Sequence, residues 1–164
     1  MSQTPDGRPG RPVHESASEY SEIALPNDAN PLGNLLGGRV MHLVDMAGAI
    51  AATRHARAPV VTASVDHMTF LHPVHIGELV ILKSAVNRAF RSSMEVGVKV
   101  WVENLRTGDR RHTASAYLTF VALGDDGRPK EIDAVIPETK DEKRRYEKAG
   151  VRREYRLALR SQTK

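Results

Sequence analysis

The chain has no cysteine, which excludes both a disulfide framework and a thiol nucleophile. It is poor in aromatics, with one Trp, four Tyr and three Phe among 164 residues. Few base-stacking platforms are therefore available, and nucleic acid is not an expected partner. No apolar run approaches the roughly 18 residues of a membrane span. The opening MSQTPDGRPGRPVHESASE lacks the apolar core of a secretory signal. The expectation is a cytoplasmic protein with no membrane partner.

What is present suffices for one domain with tails and a proper core. The net charge is +4, and its distribution is uneven. Residues 140–164 hold ten Lys/Arg against four Asp/Glu; the other 139 residues hold fourteen against sixteen. The basic character belongs to the tail. Residues 1–17, rich in Pro, Gly, Ser and charge, are expected to be disordered. Residues 18–136 then form the folded domain, and 137–164 a basic helical tail.

The stretch NPLGNLLGGRVMHLVDMAGAIAATRH, residues 30–55, organises the chain. From Val40 to Thr53 only His42 and Asp45 are ionisable. A surface helix shows one apolar stripe; this one is apolar or small nearly all round, so it reads as a central helix wrapped by other elements. Gly37-Gly38 marks its start, and Arg54, His55 and Pro59 its end. A helix from Arg39 to Arg57 would be about 28 Å long. Ala47, Gly48, Ala49, Ala51 and Ala52 would let a sheet approach its backbone. Asp45 is the anomaly, because a buried carboxylate without partners is expensive.

Five strands are expected around this helix: Glu19–Leu25, Val60–Phe70, Leu79–Asn87, Ser93–Glu103 and His112–Leu123. The fourth alternates most clearly, with Met94, Val96, Val98, Val100 and Val102 on one face and Glu95, Lys99 and Glu103 on the other. Asn104–Asp109 reads as a hairpin turn. Asp141–Lys148 and Arg152–Arg160 read as two charged helices separated by Gly150. One helix among hairpin-linked strands cannot be a doubly wound sheet. The economical solution is α+β, a curved antiparallel sheet wrapped around one helix, and its open edges favour a dimer.

Four stretches, NPLGNLLGGRVMHLVDMAGAI, VVTASVDHMTFLHPVHIGE, FRSSMEVGVKVWVE and TASAYLTFVALGDDGRP, resemble the hotdog-fold acyl-CoA thioesterases of the acyl-CoA hydrolase group. The resemblance covers about residues 20–140. It implies the hotdog fold, hydrolysis of fatty acyl-CoA to free acid and CoA, no metal, and no cofactor beyond the CoA of the substrate. It also implies dimers, frequently assembled as trimers of dimers. The family's catalytic Asp falls on Asp45, and the polar residue of its glycine-rich loop falls on Asn34. Segments that contact CoA fall on Thr62, Ala63 and Ser64 and on Arg91, Ser92 and Ser93. A basic segment reaching the CoA phosphates falls on Arg152 and Arg153.

Each residue also has a plainer reading. Asp45 is a general base or nucleophile, or a buried Asp satisfied by its neighbours. Gly37 and Gly38 offer backbone N–H groups to a thioester oxygen, or simply open a helix. The serines and Arg153 are CoA contacts, or solvated surface. His72-Pro-Val-His75 reads as a surface loop rather than a metal site. Asp28-Ala-Asn30-Pro31-Leu-Gly33 resembles the D-x-N-P-x-H loop of hotdog enoyl-thioester hydratases, but Gly33 stands where the His must be. A non-catalytic acyl-CoA-binding regulator is the remaining alternative; it would tolerate loss of Asp45 or Asn34, and both are present. Asp45 lies seven residues beyond Gly38, about 10 Å along the helix. Asn34 of one chain is therefore expected to meet Asp45 of a second.

Overall fold

The computed structural model describes Thr4 and residues 7–164. In chain order the elements are β1 (Gly10–Pro12), β2 (Ser18–Ile23), α1 (Gly37–Ala56), β3 (Val60–Phe70), β4 (Leu79–Ala89), β5 (Ser93–Glu103), β6 (Arg110–Ala122), β7 (Ala134–Ile136) and α2 (Lys140–Gln162). Short 3-10 turns occupy Val13–Glu15 and Pro26–Asp28. A five-stranded antiparallel sheet runs β2-β4-β5-β6-β3, and β1 pairs in parallel with β7. The sheet wraps α1, as the strand order and the hotdog resemblance imply.

The period-two pattern decides which face of the sheet meets the helix. Met94, Val96, Val98, Val100 and Val102 are all buried, beside Ala114, Ala116, Leu118, Phe120 and Ala122 on β6. Against them α1 turns Val40, Leu43, Val44, Ala47, Gly48, Ala51 and Ala52. The small residues do what their size suggests: a Cβ at Gly48 would lie 3.0 Å from the buried Phe120 ring. α1 ends on Arg57 in the left-handed conformation, φ 52°, whose N–H returns to Thr53 O, and Pro59 prevents continuation.

Three expectations need correction. The first is disorder through residue 17. Residues 1–3, 5 and 6 lie outside the described residues, but 10–15 form β1 and a 3-10 turn. A segment rich in Pro, Gly, Ser and charge reads as one without fixed partners. Instead Arg8 donates to the carbonyls of Phe90 (2.7 Å) and Ile132 (3.3 Å), and Arg11 pairs with Asp133 at 2.9 Å. The second is the pair of C-terminal helices: α2 is continuous through Gly150. That glycine makes room, since a Cβ there would collide with the Arg88 guanidinium. The third is enclosure of α1. Within one chain Met41, Met46 and Ile50 are exposed, as are Val61, Val65 and Phe70 of the edge strand β3.

α2 covers the outer face of the sheet through charge rather than apolar burial; only Ala149 is buried along it. It opens on a capping box between Thr139 and Glu142. Arg152 grips the buried Glu95 carboxylate with two hydrogen bonds, 2.9 and 2.7 Å, and stacks on Tyr117 at 3.8 Å. Arg156 reaches Asp66 at 3.1 Å, and Arg88 stacks on Tyr146 at 4.1 Å.

Gly48→Ala follows directly from the Phe120 contact. Better helix propensity should return up to about 1 kcal/mol, but crowding a fully buried ring costs about 1–3 kcal/mol. The expected net result is a loss of about 1 kcal/mol, read as a lower urea midpoint at unchanged slope.

Candidate active site

The start of α1 carries no side-chain cap and no acidic residue in its first turn. Leu36 donates its N–H to Asp28 O at 2.8 Å, and the helical bonding begins with the N–H groups of Arg39 and Val40 on Leu36 O. The N–H groups of Gly37 and Gly38 are thus left over, as at any helix start. No side chain crowds them: a Cβ at Gly38 would meet nothing within 4 Å, and one at Gly37 only Phe70, at 3.9 Å. These exposed donors carry the positive end of the helix dipole. An apolar cavity of about 260 Å³ adjoins them, lined among others by Leu35, Gly37, Val40, Phe70, Leu71 and Val74.

The loop before the helix is held by its asparagines. Asn30 Oδ1 accepts from the N–H groups of Leu32 (3.0 Å) and Asn34 (3.1 Å), the local side-chain-to-backbone bonding that makes Asn a turn residue. Gly33 completes the turn at φ 79°. Asn34 is anchored differently: its Oδ1 lies 2.8 Å from His75 Nδ1, and the two residues also form a backbone bridge. His75, expected as one of two surface histidines, therefore touches the candidate site.

Asp45 stands on the open side of α1, half-buried rather than enclosed. Thr62 Oγ1 donates to Asp45 Oδ1 at 2.6 Å. Thr62, assigned to CoA by the resemblance, is thus the residue that seats the carboxylate. A bulge at Ala63, between Thr62 and Ser64, breaks the register with β6, and such bulges re-aim side chains. Ser64 turns away and donates to Asp66 at 2.6 Å, within the polar network under α2.

The register also places the third group of candidates. Ser93 pairs with Val121, and Val121 with Val61. Ser93 and Thr62 are therefore near one end of the sheet, two strand spacings or about 10 Å apart. Beside Ser93 is a cavity of about 440 Å³ lined by Arg8, Arg88, Arg91, Arg153, Phe90, Tyr146 and others. Arg153 lies 4.1 Å from the Phe90 ring centroid, with Nη1 3.4 Å from Ser93 Oγ. Burial first, then the like charges of Arg156 and Arg88, hold its guanidinium below the ordinary value. Arg91 pairs with Glu131 at 2.9 Å. The arginine pair of the tail is thus divided: Arg153 faces this cavity, whereas Arg152 is committed to Glu95. A larger cavity, about 620 Å³, is lined by Lys83, Lys99, Trp101, Tyr117 and Arg145 and contains none of the expected site residues.

Among the described residues no cluster of His, Asp or Glu has the arrangement of a metal site. No helix among them is long and apolar enough to cross a membrane.

Residues 32–108 match the family model of the thioesterase superfamily. The chain is 42% identical over 128 residues to an uncharacterized acyl-CoA thioester hydrolase, YkhA, of Bacillus subtilis, covering 78% of this chain and 74% of that one. A hexameric acyl-CoA thioesterase solved in the apo state superposes with a TM-score of 0.89 at 39% identity, over 92% of this chain and 97% of that one. The acyl-CoA hydrolase of Staphylococcus aureus, solved with butyryl coenzyme A, coenzyme A and coenzyme A disulfide, superposes at 0.88 with 37% identity, each chain covered to 94%. It has also been solved as variants in which an Asn, an Asp and a Thr are each replaced by Ala; fifteen residues separate the first two and seventeen the last two. The chain belongs to the hotdog thioesterase superfamily, among its acyl-CoA thioester hydrolases.

Proposed function

We propose that this chain hydrolyses fatty acyl-CoA to the free acid and CoA in the cytoplasm, using Asp45 as the group that activates water or attacks the thioester. The observation that carries the reading is the Thr62–Asp45 hydrogen bond, on a helix whose open N-terminal N–H groups suit a thioester oxygen. The reading requires no metal or other cofactor; CoA enters with the substrate.

The spacing of the Staphylococcus variants falls here on Asn30, Asp45 and Thr62. This favours Asn30 over Asn34 as the polar residue of the loop. Its Oδ1 is held by two backbone donors, which fixes the amide plane and leaves the NH₂ to donate. In the general-base route, Asp45 takes a proton from water as the water oxygen bonds to the thioester carbon. The carbonyl becomes an oxyanion, received by the Gly37 and Gly38 N–H groups and the Asn30 amide. Its collapse breaks the C–S bond and releases CoA thiolate, which is then protonated. In the nucleophilic route the carboxylate makes the same attack, and water hydrolyses the resulting anhydride.

Arg153, whose contacts among the described residues are Ser93 and the Phe90 ring rather than a carboxylate, suits the phosphates of CoA together with Arg91 and Ser93, because guanidinium donors favour a multiply charged anion. The apolar cavity beside Gly37 suits the first carbons of the acyl chain. The open faces of α1 and β3 suit a second copy, with Asn30 of one chain facing Asp45 of the other. The apo hexamer supports assembly of three such dimers.

Asp45→Asn is expected to lower kcat by at least about 100-fold, with CoA binding retained in calorimetry; full turnover in that variant rejects the mechanism. Asn30→Ala should cost about 100-fold in kcat and more than Asn34→Ala does. Mixing inactive Asn30→Ala and Asp45→Ala chains should restore up to about a quarter of wild-type activity through heterodimers; no recovery with subunit exchange verified places the site within one chain. Arg153→Gln should raise KM about tenfold at constant kcat.

A further inference from the structure

Arg39 stands just after Gly37-Gly38, in the first turn of α1. A cation there opposes the helix dipole, so its presence calls for a reason. Its guanidinium holds two carboxylates from two different segments. Nη2 donates to Glu22 Oε1 of β2 at 2.5 Å, and Nε lies 3.3 Å from Asp28 Oδ2, an ion pair by charge and distance in which Nε makes no hydrogen bond. Glu22 is itself gripped from the other side, its Oε2 accepting from Tyr20 O–H at 2.5 Å. The Tyr20 hydrogen bond and the Arg39 contact, with His42 nearby, hold the Glu22 carboxyl below its ordinary value. At 28% and 25% side-chain exposure, Arg39 and Glu22 are substantially shielded from water.

Asp28 is the foot of the loop that carries Asn30 and Asn34. Its backbone oxygen receives the N–H of Leu36, immediately before Gly37, and its carboxylate forms an ion pair with the Arg39 guanidinium. A bridge between Ala29 and Leu35 closes the loop just above. One guanidinium thus ties the fixed sheet, the beginning of the loop and the helix start into a single bracket. We propose that Arg39 is a positioning residue for thioester hydrolysis, acting through Asp28 to hold the asparagine loop against the Gly37-Gly38 donors. This rests on the thioesterase reading above.

The test is steady-state kinetics with butyryl-CoA, together with melting temperatures and amide hydrogen exchange over residues 27–36. Misplacing an oxyanion donor by a fraction of an ångström should lower kcat about tenfold or more. Arg39→Met and Asp28→Asn should each do so, with KM within about threefold, and the double variant should be no slower than Arg39→Met alone, as for groups acting as a unit. Exchange in the loop should quicken in both single variants. Arg39→Lys, which reaches only one carboxylate, should recover part of the rate, and Glu22→Gln should lower the melting temperature while costing less kcat than Asp28→Asn. Wild-type kcat in folded Arg39→Met, or losses that multiply in the double variant, overturn the proposal. If Arg39→Met does not fold, Asp28→Asn decides: a kcat loss at unchanged melting temperature supports it, and wild-type kcat overturns it. Absence of hydrolysis by the wild type on every acyl length defeats the thioesterase reading instead, and the loop exchange still reads the bracket.

Discussion

The close approach of α1 to the sheet governs the rest of the molecule. Ala47, Gly48, Ala51 and Ala52 bring the helix backbone down onto Phe120 and the valine row of β5. The contact fixes the rotation of the helix as well as its distance. Residues turn by about 100° each, so once Ala47 and Gly48 face the sheet, Asp45 and Ile50 fall at the two flanks of the buried face and Met46 points away from it. The same packing therefore builds the core and delivers the carboxylate to the side where Thr62 meets it. Core and site are one constraint, which is why so apolar a helix carries an aspartate at that position.

The outer face follows a different rule. α2 buries one alanine and is held by Arg152 on Glu95, Arg156 on Asp66 and the stack of Arg88 on Tyr146. Replacing a buried ion pair by apolar groups often costs little, whereas leaving one of its charges unpaired is expensive. Such docking defines where a helix sits more sharply than how strongly it is held. Here it matters because α2 also brings Arg153 over Phe90, beside Ser93 at the end of the sheet nearest Asp45.

Most of the fold was legible because its elements have strong periods. The β5 alternation, the Pro and Gly punctuation and the small-residue helix gave strands and helix close to their observed limits. What escaped depended on partners distant in sequence. β1 is three residues long and exists through β7 and the arginines beside it. The continuity of α2 was hidden because Gly150 reads as a break until Arg88 is seen against it. In the site, Asp45 and the glycine pair were visible as anomalies of composition. The roles of Thr62 and His75 required the register that brings β3 to mid-helix and the β3–β4 loop to Asn34. The split between Arg152 and Arg153 required Glu95, fifty-seven residues away.

The helix start brings these lines together. A helix normally satisfies its first N–H groups with a capping oxygen or an early acidic residue. α1 has neither, although Glu22 and Asp28 are both close by. Arg39 pairs with both carboxylates instead. The helix terminus thus stays open and electropositive, while the two acids beside it are engaged by the cation of its own first turn.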